Sequence, residues 1–235
     1  LQKKIILLAG PTASGKSNLA ILLAKKIKGE IINTDSMQVY KEFLILSSRP
    51  SKNDLKKVSH HLYGFLSVKK NFSTGEWLKL VKKKIYQITK KKRIPILVGG
   101  TGLYFNAITK GISKIPVISD KYRETIRANH KLIGQKKFYE KLIELDPLSQ
   151  KNISPNDTQR SIRAYEVKFF TGKSLYEWIS KTKSDFIDYD IRKIYLDTPR
   201  DVLLKKIEHR TNKMFKENCA KEVKNFLSLN IKNHF

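Results

Sequence analysis

The sequence predicts an α/β fold in which a doubly wound parallel sheet is interrupted by a helical insertion. Short apolar runs typical of buried strands alternate with segments of helical spacing through residues 1–117. Over residues 118–190 the pattern changes to helices alone, and a strand pattern returns at Ile191. We therefore expect an α/β core formed by residues 1–117 and 191–235, and a helical insertion domain formed by residues 118–190.

The elements of the core follow in order along the chain. Strands are expected over residues 5–9, 30–34, 94–98 and 191–197, and helices over residues 17–27 and 76–92 and after Pro199. In the insertion, apolar stripes predict helices over residues 121–133, 135–146 and 158–170. Asn156 and Asp157 are placed to cap the last of these helices.

Composition limits the class of protein. The chain has 235 residues, of which 40% are hydrophobic, enough for one sizeable core. No apolar stretch approaches the roughly 18 residues that a membrane span needs, and no signal peptide is evident. Cys219 is the single cysteine, which excludes an internal disulfide and fits a reducing compartment. We expect a cytoplasmic monomer that does not bind membranes.

The charge is strongly positive and unevenly distributed. The 48 Lys and Arg residues against 21 Asp and Glu give +27, a field that favours nucleic acids, anionic membranes or phosphorylated small molecules. A biased codon pool explains the excess lysine equally well. The net charge is +18 over residues 1–117, +3 over 118–190 and +6 over 191–235. The nearly neutral middle segment supports a separate structural unit.

The stretch GPTASGKS, residues 10–17, directly follows the first predicted strand. This spacing, between a strand and a helix, predicts a phosphate-binding P-loop and so a P-loop NTPase-like core. Backbone N–H groups and the helix N-terminus bind phosphate oxygens, Lys16 neutralises charge, and the Ser17 hydroxyl can ligate Mg²⁺. The motif is typical of nucleotide binding, including ATP binding. It indicates a bound phosphate chain but not a transferred phosphoryl group.

Two further polar groups follow predicted strands at the ligand-binding end of the sheet. Asp35 could hold Mg²⁺ through water, bind an acceptor hydroxyl, act as a general base, or serve only as a turn or helix-cap carboxylate. Gln38 could hydrogen-bond a base edge. Gly99 and Gly100, followed by Thr101, either admit a ligand close to the backbone or form a tight turn.

Basic residues outside the P-loop have competing interpretations. Arg160 and Arg163 share a helix face, which suits contacts with phosphates or bases but also ion pairs with Asp157 or Glu166. Arg210 is a candidate second diphosphate clamp. His60 and His61 are predicted to be structural, because no other metal ligand lies at a suitable spacing.

Together these stretches resemble the tRNA dimethylallyltransferase family, also called tRNA isopentenyltransferases. The resemblance covers nearly the whole chain in the family's order. It is carried by GPTASGKS (10–17), DSMQVY (35–40), HHL (60–62), ILVGGTGLYF (96–105), SPNDTQRSIRAYEV (154–167), TGKSLYEW (171–178) and HRTNKM (209–214).

The resemblance implies transfer of a dimethylallyl group from dimethylallyl diphosphate to N6 of the adenosine beside the anticodon, with release of diphosphate. The implied partner is the anticodon arm of tRNA, and the implied cofactor is Mg²⁺ assisted by Ser17. The implied catalytic residues are Asp35 as general base, Thr101 and Arg123. The implied diphosphate-binding residues are Gly10, Pro11, Thr12, Ala13, Ser14, Gly15, Lys16, Ser17 and Arg210. The implied tRNA-binding residues are Asp35, Ser36, Met37, Gln38, Thr101, Arg123, Gln159, Arg160, Ser161, Ile162 and Arg163.

The chain departs from the family's pattern at three places. Residues 44–50 read LILSSRP where the family commonly has Asp-x-Gly-Thr-x-Lys-Pro, and Asn218-Cys219 replaces a usual Gly-Leu pair. The family normally continues well beyond the equivalent of Phe235, so a truncated chain is expected. Two other functions stay open: a P-loop small-molecule or nucleoside kinase, in which Asp35 would bind the acceptor hydroxyl, and a non-catalytic RNA-binding homologue.

Overall fold

The computed structural model describes residues 3–231, which fall into two compact units. The described residues of the first unit are 3–109 and 186–231, and the second unit is Lys110–Asp185. The sequence placed the corresponding boundaries at 118 and 190. Residues 1–2 and 232–235 of the predicted core lie outside the described residues.

A parallel sheet forms the centre of the first unit. Its strands are β1 (Lys4–Ala9), β2 (Gly29–Asn33), β3 (His60–His61), β4 (Ile94–Gly99) and β5 (Asp190–Tyr195). Within the described residues their order is β3-β2-β4-β1-β5, and every pairing is parallel. The predicted α/β fold with a parallel sheet is confirmed. Strand β3 was not predicted, because two histidines are too short a stretch to show strand periodicity.

Helices connect these strands and build the second unit. In chain order they are α1 (Lys16–Ile27), α2 (Lys52–Lys57), α3 (Thr74–Lys90), α4 (Gly102–Thr109), α5 (Asp120–Leu145), α6 (Thr158–Thr171), α7 (Leu175–Ser180), α8 (Arg200–Lys216) and α9 (Cys219–Leu227). No helix of residues 3–231 combines the length and apolar character needed to cross a membrane.

The central strands of the sheet are buried on both faces. Leu8, Ile31 and Ile96 pack in one cluster with Ala20 and Ala24 of α1. The next residues on β2 and β4, Ile32 and Leu97, point to the opposite face and are also fully buried. Burial on both faces explains why these strands are continuous apolar runs rather than alternating patterns.

Helix α3 holds the C-terminal end of β2 in place. The candidate functional site begins at this end of the strand. Its N-terminus is a capping box, because the Ser73 hydroxyl accepts the Glu76 N–H at 3.2 Å and the Glu76 carboxylate accepts the Ser73 N–H at 2.8 Å. The Trp77 indole donates to the Asn33 carbonyl at 3.2 Å and stacks on Tyr104 at a centroid distance of 3.9 Å. These contacts hold the last residue of β2 in place.

The second unit is helical, and its longest helix is kinked. Gly134 has φ 77° and ψ 166° within α5, which divides it into the two helices that the apolar stripes predict. Phe138, Leu142 and Val167 are fully buried between α5 and α6. The Asp157 carboxylate accepts the Arg160 N–H at 3.1 Å, so Asp157 caps α6 as predicted.

A buried carboxylate joins β2 to the neighbouring segments. Glu30 is 1% exposed, and its oxygens lie 2.6 Å from His61 Nε2, 3.0 Å from Arg93 Nη1 and 3.8 Å from Lys91 Nζ. Burial alone would raise the pKa of Glu30. The His61 hydrogen bond and the charges of His61, Lys91 and Arg93 outweigh burial and lower that pKa. His61 therefore has the structural role that the sequence predicted.

Replacing Glu30 with Gln should lower the free energy of unfolding at pH 7 by about 1.5–3 kcal/mol, because the charge-assisted bonds to His61 and Arg93 are lost. Since the folded pKa of Glu30 is lowered, its contribution is complete above the unfolded value of about 4.3 and is lost as the pH falls through the folded value. Urea unfolding of both proteins at pH 7 and pH 3 measures this. The exposed Glu208→Gln is the control, and a difference between wild type and Glu30→Gln that stays constant with pH would contradict the assignment.

Candidate active site

The P-loop connects β1 to α1 in a strained, tightly packed turn. Gly15 has φ 95°, a left-handed conformation that favours glycine, and a Cβ on Gly10 would lie 2.9 Å from the Leu196 carbonyl. The Ser14 N–H and the Lys16 ammonium both donate to the Pro11 carbonyl, at 3.3 and 2.5 Å. The glycines of the motif therefore serve the fold of the loop as well as any approach to a ligand.

The N-terminus of α1 is open to an anion. Within the described residues, no side chain caps this helix and no acidic residue lies in its first turn. Its unpaired N–H groups and positive dipole end therefore carry no internal counter-charge. The Ser14 hydroxyl is buried beside them and has no hydrogen-bond partner in the described part of the chain. This combination is typical of a phosphate site.

A pocket of about 260 Å³ lies beside this loop. Most of its lining was predicted from the sequence: Thr12, Ala13, Ser14, Gly15, Lys16, Ser17, Asp35, Gln38 and Arg210. The other lining residues are Asn18, Ser47, Ser48, Tyr63, Val98 and Gly99. The structure thus brings the P-loop, Asp35 from the turn after β2 and an arginine of α8 to one cavity.

The cations of the pocket are poorly solvated. Burial lowers the pKa of Lys16, the charge of Asp35 opposes that shift, and Arg210 lowers the pKa further. Burial likewise lowers the pKa of Arg210, again opposed by Asp35. One carboxylate therefore faces two partly desolvated cations. An anionic ligand would supply the missing counter-charge.

Asp35 sits in a turn that its neighbours define. One carboxylate oxygen accepts the Met37 N–H at 2.9 Å, so the turn role left open by the sequence is present. The Asn33 side chain accepts the Asp35 N–H at 2.9 Å and donates to the carbonyls of Asp35 and Leu62 at 2.9 and 3.0 Å. The second carboxylate oxygen has no hydrogen bond among residues 3–231, which leaves it available to a ligand.

Thr101 and the two glycines before it lie against this turn. Of the three residues, only Gly99 lines the pocket. The Thr101 hydroxyl accepts the Ser36 N–H at 3.0 Å and donates to the Ser36 hydroxyl at 3.3 Å. A Cβ on Gly99 would lie 2.1 Å from the Thr34 carbonyl oxygen, whereas one on Gly100 would meet nothing closer than 3.9 Å. The absence of a side chain at Gly99 therefore accommodates the neighbouring strand end.

Tyr63 is a pocket residue that sequence reasoning missed. Burial raises the pKa of Tyr63, and the negative charge of Asp35 adds to the shift, so the phenol stays neutral. No motif marks Tyr63, because it reaches the pocket through the short strand β3 and the turn that follows it.

The predicted RNA-contacting residues of the second unit differ in exposure. Gln159 and Arg160 are exposed, with Arg160 Nη1 3.2 Å from Asp157. Arg163 Nη1 lies 3.2 Å from the buried Glu166 carboxylate, so both Arg160 and Arg163 form the ion pairs weighed in the sequence. Arg123 Nε lies 3.9 Å from the same carboxylate, an ion pair that was not predicted. Two members of the predicted set, Ser161 and Ile162, are buried. Their buried side chains are poorly placed to meet a surface-bound RNA, whereas Gln159, Arg160 and Arg163 stay candidates for such contacts in this stretch.

Comparison with known proteins identifies similar sequences over most of the chain. A profile of the IPP transferase family matches residues 38–234. A tRNA dimethylallyltransferase of Pelagibacter ubique is 57% identical over 98% of this chain and 74% of its own length. A tRNA dimethylallyltransferase of Rickettsia felis is 46% identical over 94% of this chain and 72% of its own length.

Solved structures of similar proteins share the fold of this chain. A eukaryotic dimethylallyltransferase acting on tRNA superposes with a TM-score of 0.84 at 26% identity, covering 99% of this chain. The chain spans 58% of the length of that protein. The tRNA isopentenylpyrophosphate transferase of Bacillus halodurans superposes with a TM-score of 0.65 at 31% identity, over 99% of this chain and 72% of its own.

Lys16→Ala should weaken binding of inorganic diphosphate about 10- to 100-fold. The substitution removes a partly desolvated cation beside the P-loop and, with it, a charge-assisted hydrogen bond to the anion. Isothermal titration calorimetry measures the affinity. Lys26→Ala, at an exposed position of α1, is the matched control and should bind as wild type does. Equal losses in the two variants would show that only the general positive field matters.

Proposed function

The chain belongs to the IPP transferase family, and we propose that it transfers the dimethylallyl group of dimethylallyl diphosphate to N6 of the adenosine beside the anticodon of tRNA. This membership confirms the resemblance seen in the motifs. Its relatives are tRNA dimethylallyltransferases, and a eukaryotic neighbour is described as acting on tRNA. The observation that carries the proposal is the single pocket in which Asp35 lies with Lys16 and Arg210.

The diphosphate is assigned to the P-loop side of this pocket. The open N-terminus of α1, the Lys16 ammonium and the Arg210 guanidinium are donors without a full counter-charge there. As the bond between the allylic carbon and the diphosphate oxygen breaks, negative charge grows on the leaving group. Donors already fixed around that group stabilise it without reorganisation.

The pocket also fits Mg²⁺. The Ser17 hydroxyl lines it, and oxygen donors are the ligands Mg²⁺ prefers. The described residues contain no group of three or more His, Cys, Asp or Glu side chains that could hold a metal ion. A cation here would thus depend on substrate phosphates, as Mg²⁺ commonly does. Bound Mg²⁺ would add positive charge to the leaving diphosphate.

Asp35 is assigned as the general base. An exocyclic adenine amine is a weak nucleophile, and a carboxylate that accepts its hydrogen bond assists attack. The N6 lone pair forms the new C–N bond, the C–O bond to diphosphate breaks, and the N6 proton moves to the free Asp35 oxygen. Thr101 acts through its hydrogen bonds to Ser36, which hold the turn. The Gln38 amide nitrogen already donates to the Ser47 and Ser48 carbonyls, so only its oxygen could meet a base.

The second unit is assigned to tRNA. Its exposed Gln159 and Arg160, with Arg163 and Arg123, supply donors for phosphates and bases. An adenine must leave its stack before N6 can be reached, so the RNA has to be gripped while the base is extruded.

Incubation with radiolabelled dimethylallyl diphosphate, Mg²⁺ and unmodified tRNA tests the proposal. Label is expected in tRNA, at the adenosine beside the anticodon, with release of one diphosphate per transfer. ATP hydrolysis or phosphorylation of a small molecule without label transfer would instead support a kinase. Salt-sensitive tRNA binding without turnover would support a non-catalytic homologue.

Asp35→Asn should lower the rate of transfer about 10²- to 10⁴-fold, because the amide cannot accept the N6 proton. Affinity for inorganic diphosphate without Mg²⁺ should not fall, since Asp35 does not bind that group directly and its negative charge competes with the anion for Lys16 and Arg210. Single-turnover transfer and calorimetry separate the two effects. Asp188→Asn, at an exposed position of the same unit, controls for the charge change, and a normal rate in Asp35→Asn would refute the base assignment.

Arg160→Ala should weaken tRNA binding and reduce the slope of log affinity against log salt by about 1, the effect of one lost phosphate contact. Diphosphate affinity should not change. Filter binding at several salt concentrations measures the slope. Lys141→Ala, at an exposed position of α5, is the control. An equal change of affinity and slope in Lys141→Ala would show that the loss of any positive charge in this unit weakens tRNA binding.

A further inference from the structure

One wall of the P-loop pocket is a segment with no helix or strand of its own. Residues 43–49 run through turns, closed by hydrogen bonds of 2.9 Å from the Ser48 N–H to the Ile45 carbonyl and 3.1 Å from the Arg49 N–H to the Leu44 carbonyl. Ser47 and Ser48 of this segment line the pocket. Such a segment needs partners elsewhere in the fold to hold one position.

Those partners come from α9, far along the chain. The Glu222 carboxylate accepts the N–H groups of Leu44, Ile45 and Leu46 at 2.6, 3.0 and 2.9 Å. Three consecutive amides around one anion are charge-assisted bonds, stronger than neutral ones. The Phe43 ring also packs on Phe226 of α9, with a centroid distance of 5.0 Å.

The same segment is tied to the turn that carries Asp35. The Gln38 amide donates to the Ser47 carbonyl at 2.8 Å and to the Ser48 carbonyl at 3.1 Å. Met37, which donates to the Asp35 carboxylate, immediately precedes Gln38. A continuous series of hydrogen bonds therefore runs from Glu222 through residues 44–48 to the turn at residues 35–38.

We propose that Glu222 is a positioning residue for the diphosphate pocket: it fastens residues 44–46 to α9 so that Ser47, Ser48 and Gln38 stand beside Asp35. Glu222 does not line the pocket. It acts through the backbone of the segment that it holds. The consequence for catalysis rests on the proposed prenyl transfer, whereas the consequence for diphosphate binding does not.

The variant Glu222→Gln tests this with little change of shape, because the two side chains are nearly the same size. The amide has one acceptor oxygen where the carboxylate has two, so part of the hydrogen bonding is lost. Hydrogen–deuterium exchange of the peptide spanning residues 43–49 should accelerate at least about tenfold, given the bonds lost. Calorimetry with inorganic diphosphate should show affinity reduced about tenfold. Glu222→Ala should exceed both effects, while the exposed Glu208→Gln should match wild type. The thermal midpoint of each variant shows whether the fold is retained.

In the transfer assay, Glu222→Gln should reduce kcat/KM for dimethylallyl diphosphate about 10- to 100-fold, because misplacing a pocket wall disturbs substrate geometry. Its affinity for tRNA should be unchanged. If wild type transfers no label, the proposed function fails, and exchange and diphosphate binding still decide the role of Glu222. Unchanged exchange, or faster exchange with diphosphate affinity equal to wild type, would overturn the positioning role.

Discussion

The parallel pairing of β2, β4 and β1 is the constraint on which the pocket depends. Because these strands run in one direction, the segments that follow them emerge together: the P-loop after β1, Asp35 after β2, and Thr101 after β4. Gly99 then lets the ends of β4 and β2 approach within a distance that any side chain would prevent. An antiparallel strand among the three would send one of these groups to the far end of the sheet.

The pocket combines partly desolvated cations with an incomplete set of counter-charges. Lys16 and Arg210 lose hydration on folding, and Asp35 compensates only in part. The buried Ser14 hydroxyl, which has no partner within residues 3–231, adds to the cost. This arrangement destabilises the free protein locally and is relieved when an anion binds. The same electrostatics that weaken the empty fold thus favour binding of an anion, as the proposed diphosphate site requires.

Sequence patterns predict the elements and motifs that depend on residues close together in the chain. Strand-like patterns located four of the five strands described, and the spacing of GPTASGKS located a loop with the features of a phosphate site, because both reflect short-range geometry. Tyr63 and Glu222 escaped prediction, since each reaches its partners through tertiary structure and neither lies in a periodic pattern. For Gly99, the sequence predicted either a close approach of the backbone to a ligand or a tight turn. The structure shows that the group approached is the Thr34 carbonyl.

The order of the chain has a consequence for when the pocket forms during synthesis. The P-loop and Asp35 are made first, yet both Arg210, which lines the cavity, and Glu222, which binds the N–H groups of residues 44–46, come from beyond residue 186. β5, which pairs with β1, is separated from it by nearly the whole described chain. Contacts of such long sequence separation form late and slowly. Arg210 and the contacts of Glu222 with residues 44–46 are therefore added only once α8 and α9 have been synthesised.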